Sequence, residues 1–84
     1  MSRAEIFEVV KKNIQEIVEG LADREVVETD SMEELGADSL EVVEVVSRSM
    51  KELKIRVPRA ELTNARNIKE LVDLFEKATL ASTG

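Results

Sequence analysis

Ser39 stands in the run Leu35-Gly36-Ala37-Asp38-Ser39-Leu40, and its hydroxyl has the best claim to chemistry in this chain. Asp38 is a good N-cap and Glu41 sits at the capping-box return position, so the run opens a helix. Gly36 frees the backbone to turn just ahead of it. There the Ser39 hydroxyl projects where unpaired amide N–H groups and the positive end of the helix dipole converge, and a phosphate on that oxygen would be well placed. The same residues also make an ordinary helix start, in which Ser39 is nothing more than part of the first turn.

What the chain lacks narrows the chemistry further. It has no Cys and no His, which removes thiol nucleophiles, disulfides, zinc fingers and imidazole-based triads. A carboxylate pair such as Asp30 and Glu34 is the remaining route to acid–base catalysis, and in a Glu-rich chain such pairs are ordinarily just solvated. An enzyme is not expected. Acidic residues number 18 against 12 basic, for a net charge of −6, and a nucleic-acid partner would ask for the opposite balance and for stacking aromatics. Phe7 and Phe75 are the only aromatics. No run approaches a membrane span and charge comes too early for a secretion signal, so a cytoplasmic location is expected. Residues 1–46 hold 13 acidic and 4 basic side chains and residues 47–84 hold 5 and 8; a basic partner would meet the first half.

The elements that must position Ser39 are helices. From Ala4 to Glu19, Ile6, Phe7, Val10, Ile14, Ile17 and Val18 share one side of a 100° wheel, with Glu8, Lys12, Gln15, Glu16 and Glu19 opposite. Ser2 and Glu5 form a capping box and Gly20 is the expected left-handed stop. Residues 21–38 read as a long loop, with Asp23, Thr29 and Asp30 to expose and Leu21, Val26, Val27, Met32 and Leu35 to bury; Ser31–Leu35 is fit for one helical turn. A connection this long is usually functional or carries an element of its own. The second helix is predicted from Ser39 to about Lys54, burying Val42, Val43, Val46, Met50 and Leu53. Leu40 falls on its opposite arc with Glu41, Glu44, Arg48 and Lys51. One exposed leucine is ordinary, and packing on the loop would explain it, but beside a modifiable hydroxyl it also suits partner docking. Lys54-Ile55-Arg56-Val57-Pro58 is an extended connector, and residues 59–66, up to Arg66, hold one short turn around Leu62. Asn67 and Glu70 cap a last helix through Lys77 that faces Ile68, Leu71, Val72, Phe75 and Ala78 inward, and Ala81-Ser82-Thr83-Gly84 is a frayed tail. The expected fold is a single all-α domain over residues 1–84: a small antiparallel bundle of three long helices and one short one, with a long loop between the first two.

Leu35-Gly36-Ala37-Asp38-Ser39-Leu40-Glu41-Val42-Val43-Glu44 resembles the signature of acyl carrier proteins, in which the serine of the Asp-Ser-Leu motif carries 4′-phosphopantetheine. The resemblance extends to Ile55-Arg56-Val57-Pro58 and to Asn67-Ile68-Lys69-Glu70-Leu71-Val72, and spans about residues 4–78. It implies a four-helix carrier fold, attachment of the arm to Ser39 by a separate phosphopantetheinyl transferase using coenzyme A and Mg²⁺, and acyl groups held as thioesters on the arm. Asp38 and Gly36 would shape the attachment site, and Leu40, Glu41, Glu44, Arg48 and Lys51 would meet partners: the transferase, an acyltransferase, a ketosynthase or other synthase enzymes. The carrier would be a monomer, either free-standing or a domain excised from a longer chain, with no membrane or nucleic-acid partner. Val10, Ile14, Val43, Val46, Ile68 and Leu71 would sheath a short acyl chain or simply form the core. Housekeeping fatty-acid carriers resemble one another in an acidic second helix, whereas Ser47-Arg48-Ser49-Met50-Lys51 and Arg56-Val57-Pro58-Arg59 turn basic here. That departure points to a polyketide or related specialised pathway, with a fatty-acid carrier as the alternative. Carriers that accept β-branching resemble each other in an aromatic on this helix in the region of Val45, so this chain would donate the acyl group. Peptidyl carriers carry Gly-Gly-His-Ser or Gly-Gly-Asp-Ser and fit Gly36-Ala37-Asp38-Ser39 less well. An unmodified helical adaptor is the rival from another class.

Overall fold

Four helices account for the regular structure in the computed structural model, which describes residues 2–18, 20–21, 24–62, 65 and 67–82. α1 (Arg3–Ile17) begins where Ser2 Oγ accepts the Glu5 N–H at 3.3 Å and itself reaches Glu5 Oε1 at 3.2 Å. It buries Ile6, Val10 and Ile14 completely and leaves Phe7 and Ile17 half-buried at the margins. The helix ends earlier than its periodicity predicts, and Gly20 is not its stop. Val18 closes the last turn onto Ile14 at 2.9 Å and then goes extended, which carries its own side chain and that of Leu21 into the core. Gly20 takes its positive φ of 86° two residues later, in the following turn. Glu19 and Asp23 lie outside the described residues.

The loop to α2 (Ser39–Leu53) is anchored by Leu21, Val26 and Leu35, whereas Val27, expected inside, is exposed. Ser31–Leu35 makes the single turn anticipated for it: Leu35 N–H donates to Ser31 O at 3.1 Å and Ser31 Oγ accepts the Glu34 N–H at 3.0 Å. α2 ends in Lys54, left-handed at φ 57°, whose following residue folds back to Met50 O at 3.0 Å. Residues 55–58 are outside any helix or strand, with Val57 buried. α3 (Arg59–Leu62) is the short turn, and Arg66 lies outside the described residues. α4 (Ile68–Ser82) runs past the predicted Lys77, so Ala81 and Ser82 are helical rather than frayed; Thr83 and Gly84 lie outside the described residues.

α1 packs on α2 and α4, and α3 rests on α4. Three pairs descend the α1–α2 seam in opposite sequence directions, which makes the helices antiparallel: Glu16 with Arg48 at 3.3 Å, Asn13 with Ser49 at 3.0 Å and Lys12 with Glu52 at 3.0 Å. The middle pair is fully buried. It also corrects the face of α2. Val43, expected in the core, is 48% exposed, while Val45, Val46, Ser49 and Leu53 are buried and Val42 and Met50 half-buried. The inward arc is thus centred on Val42, Val45, Val46 and Ser49, at i, i+3, i+4 and i+7. Apolar residues alone could not locate it, because one of its members is polar and paired with Asn13.

Candidate functional site

The long loop and α2 meet at a closed capping box. Asp38 Oδ1 accepts the Glu41 N–H at 2.8 Å, and Glu41 Oε1 accepts the Asp38 N–H at 3.0 Å. Gly36 reaches this point with φ 88°, a conformation in which a side chain is strained, and the turn before it closes through Ala37 N–H to Met32 O at 3.0 Å. With the Gly36 N–H bonded to Glu33 O at 3.0 Å as well, two carbonyl-directed bonds and one box fix the backbone on which Ser39 sits. Ser39 is exposed, and its hydroxyl has no hydrogen-bond partner among the described residues. The Ser39 and Leu40 amides, first in α2, likewise have no acceptor there, so an anion on the Ser39 oxygen would meet open donors and the positive helix end.

Of the residues singled out from sequence, Gly36, Asp38, Ser39, Leu40 and Glu41 are brought together at this corner. Leu40 is 81% exposed, on the outer face as its position on the wheel requires. Glu44 is exposed one turn further on. Arg48 lies beyond that, engaged with Glu16 across the seam and with Glu44 at 4.0 Å along the helix. Lys51 stands in the last turn of α2, exposed and remote from Ser39. Asp30 is not a partner for Glu34: its carboxylate accepts the Val27 N–H at 3.0 Å and caps its own loop.

Sequence reasoning missed the groove that opens beside Ser39. It has a volume of about 900 Å³ and runs between the loop wall at Met32 and Ala37, the α2 side chains Val42 and Val46, and Leu62, Asn67 and Leu71 opposite. Its signal was divided among four elements, none of which marks it alone. Of the residues expected to sheath an acyl chain, Val46 and Leu71 line the groove and Val43 faces outward. Val10, Ile14 and Ile68 are fully buried core.

The site can accept a group and cannot activate its own nucleophile. The carboxylate nearest in sequence, Asp38, is committed to the Glu41 amide, and the chain has no imidazole. Among the described residues no side chain hydrogen-bonds the Ser39 hydroxyl as a general base would. Its setting is acidic, with Glu33, Glu34, Asp38 and Glu44 all exposed. Among the described residues no helix is long and apolar enough to cross a membrane.

Comparison with known proteins bears on the same residues. The family described as phosphopantetheine attachment site matches residues 9–75. A polyketide biosynthesis acyl-carrier-protein of Bacillus subtilis is 35% identical over 82 residues, spanning 96% of this chain and 100% of that protein. An acyl carrier protein of Thermotoga maritima is 35% identical over 77 residues, 90% of this chain and 94% of that one. In solved structures, a chain from the crystal structure of the curacin biosynthetic pathway HMG synthase in complex with acetyl donor-ACP superposes with a TM-score of 0.82 at 40% identity, covering 89% of this chain and 96% of that chain.

Proposed function

Because this chain belongs to the phosphopantetheine-binding acyl carrier proteins, we propose that Ser39 bears the arm, with Asp38 and Gly36 holding the loop that presents it. The chain is a carrier and not an enzyme, and its prosthetic group is 4′-phosphopantetheine. When bound, the group supplies a thiol on which an acyl chain is held as a thioester. One observation carries the assignment to Ser39: its hydroxyl is exposed and unbonded at the first position of α2, beside open backbone amides and the mouth of the groove.

The residues around it take separate parts. Asp38 and Glu41 lock each other in the capping box and so fix where the Ser39 oxygen points. Leu40 and Glu44 offer an apolar knob and a charge on the outer face, within reach of whatever enzyme approaches Ser39. The base that removes the Ser39 proton belongs to a phosphopantetheinyl transferase, which also brings coenzyme A and Mg²⁺.

The pathway is a polyketide or related specialised one, with synthase enzymes as partners. Two features support this: the basic end of α2 and the likeness to the Bacillus protein. Within such a pathway the chain serves as an acetyl or other acyl donor to an HMG synthase. Val45 is fully buried against the core, so the position at which acceptor carriers resemble one another in an aromatic is closed here to a larger ring. The protein acts as a cytoplasmic monomer. A fatty-acid carrier is the second reading, left standing by the equal identity to the Thermotoga protein, whose name specifies only an acyl carrier protein.

Intact mass after incubation with coenzyme A, Mg²⁺ and a promiscuous transferase tests the assignment. Wild type should gain one phosphopantetheine and Ser39→Ala none, with helical content unchanged because Ser39 is exposed and its hydroxyl makes no hydrogen bond among the described residues. Uptake of the arm by the alanine variant would place the site elsewhere, and no uptake by the wild type would return the chain to the unmodified adaptor. Acetyl transfer from the loaded protein to the curacin-pathway HMG synthase separates the donor reading from the fatty-acid one.

A further inference from the structure

Two polar side chains interrupt the apolar wall of the groove. Ser31 and Asn67 both line it, and they are drawn together by the main-chain bond between their neighbours, Ile68 N–H to Asp30 O at 2.9 Å. Each commits its acceptor to a local cap. Ser31 Oγ takes the Glu34 N–H at 3.0 Å, and Asn67 Oδ1 takes the Glu70 N–H at 2.9 Å at the start of α4. The second bond fixes which end of the Asn67 amide is oxygen, so Nδ2 is the end left over. Neither that NH2 group nor the Ser31 hydroxyl donates to an acceptor among the described residues. The side chains beside them, Met32, Val42, Val46, Leu62 and Leu71, carry no oxygen to accept these donors. Both Ser31 and Asn67 are half-buried, and an occupant that displaces water from them must bring an acceptor of its own.

Resting on the reading that Ser39 bears the arm, we propose that Ser31 and Asn67 form a carbonyl-binding subsite, whose two neutral donors hold the loaded arm in the groove. Attachment brings the occupant to them: Ser39 lines the same groove, so an arm on its oxygen starts at the mouth. Its carbonyl oxygens come from two sources, the amides of the pantetheine and the thioester of the cargo. The donors suit either. A carboxylate is a poorer occupant, because Glu33, Glu34 and Asp38 also line the groove and none of the described residues lining it is basic, so an incoming anion meets like charge. Asn67 thus serves with both ends of its amide, the oxygen for α4 and the nitrogen for the arm.

The side-chain amide resonances of Asn67 test this in the apo, holo and acetyl-loaded protein, with loading at Ser39 established first by mass. A wild type that takes up no arm overturns the Ser39 reading and this one with it. A loaded protein whose Asn67 amide matches the apo form overturns this one alone. The expected result is a downfield shift of the Nδ2 protons on loading. A shift already present in the holo form identifies a pantetheine amide as the source of the acceptor, and one found only in the acetyl-loaded form identifies the thioester. Asn67→Asp keeps a good N-cap oxygen and removes the donor, so thermal unfolding of the apo variant should stay close to wild type while the arm loosens. Its docked-to-free ratio, read from the methyl shifts of Val46 and Leu71 on loading, should fall about fivefold, the factor that one net hydrogen bond sets. Ser31→Ala removes the other donor without adding charge and should act in the same direction. Methyl shifts on loading as large in both variants as in the wild type would show that these donors do not hold the arm, and would overturn the proposal.

Discussion

Leu40 shows how much a single residue can reveal when local rules agree. Its side chain is 81% exposed at the second position of α2, beside the proposed attachment oxygen and on the arc opposite the core. Truncating it removes nothing from the packed interior, so Leu40→Ala should move stability by only about 0.5 kcal/mol. Transfer from the loaded variant to a synthase enzyme should fall about tenfold in kcat/KM, as for a central apolar anchor of an interface. Thermal unfolding and steady-state transfer together check this; a loss of roughly 2–5 kcal/mol would be the mark of a buried leucine instead. This corner was legible in the sequence because everything that defines it is short-range. Asp38 reaches Glu41 three residues away, Gly36 supplies its own positive φ, and the wheel needs only the helix that contains Leu40. Val43 was misplaced by the same wheel, since its exposure depends on a partner helix that no local pattern names.

At the scale of the element, that partner is α1. Asn13 Nδ2 donates to Ser49 Oγ at 3.0 Å, both residues are fully buried, and Asn13 Oδ1 has no partner. A polar pair among Val10, Ile14, Val45 and Val46 fixes which faces of α1 and α2 meet, and the ion pairs of Lys12 with Glu52 and Arg48 with Glu16 flank it on the surface. Exposed ion pairs are worth little, about 0–1 kcal/mol each. The buried pair matters more through what its loss leaves behind. Asn13→Ala should destabilise by about 1–3 kcal/mol, because it strands the Ser49 hydroxyl and opens a cavity. Asn13→Leu combined with Ser49→Ala, which removes both polar groups and roughly conserves volume, should be near neutral or stabilising. Urea denaturation of the three proteins decides it. A double variant as unstable as Asn13→Ala would mean that packing shape, rather than the hydrogen bond, holds the seam. The helices themselves were readable from period and caps. Their rotation was not, because a polar residue in a core position carries no apolar signal.

Across the whole molecule, Arg3 joins three parts of the chain that are far apart in sequence. Its guanidinium pairs with Asp73, lies 2.9 Å from Glu28 Oε1 and 3.7 Å from Glu76 Oε1, and donates to Lys69 O at 3.4 Å. The hydrogen bond to Asp73, opposed by burial and reinforced by the charges of Asp73 and Glu28, pushes its pKa above an already high value. The Arg3 guanidinium therefore stays protonated. Beside it the loop is sewn to the start of α4 by main-chain bonds, Lys69 N–H to Glu28 O at 2.8 Å and Ile68 N–H to Asp30 O at 2.9 Å. These satisfy amides that a helix start would otherwise leave open. The same loop continues through Met32 to Ala37 as one wall of the groove and ends at Ser39, so the Arg3 clamp and these bonds tie the upstream part of that loop to α4. Such long-range closure was invisible in the sequence, where residues 21–38 showed only polarity and a few apolar points. Arg3→Gln keeps much of the side chain's length and removes the charge. It should cost about 1 kcal/mol, as expected for a partly exposed network, and that cost should diminish in high salt. The loss should also be local: hydrogen exchange at the Ile68 and Lys69 amides should quicken more than at Val10 or Ile14 in α1. Equal acceleration at all four amides would show that Arg3 supports global stability alone and does not fasten the loop to α4.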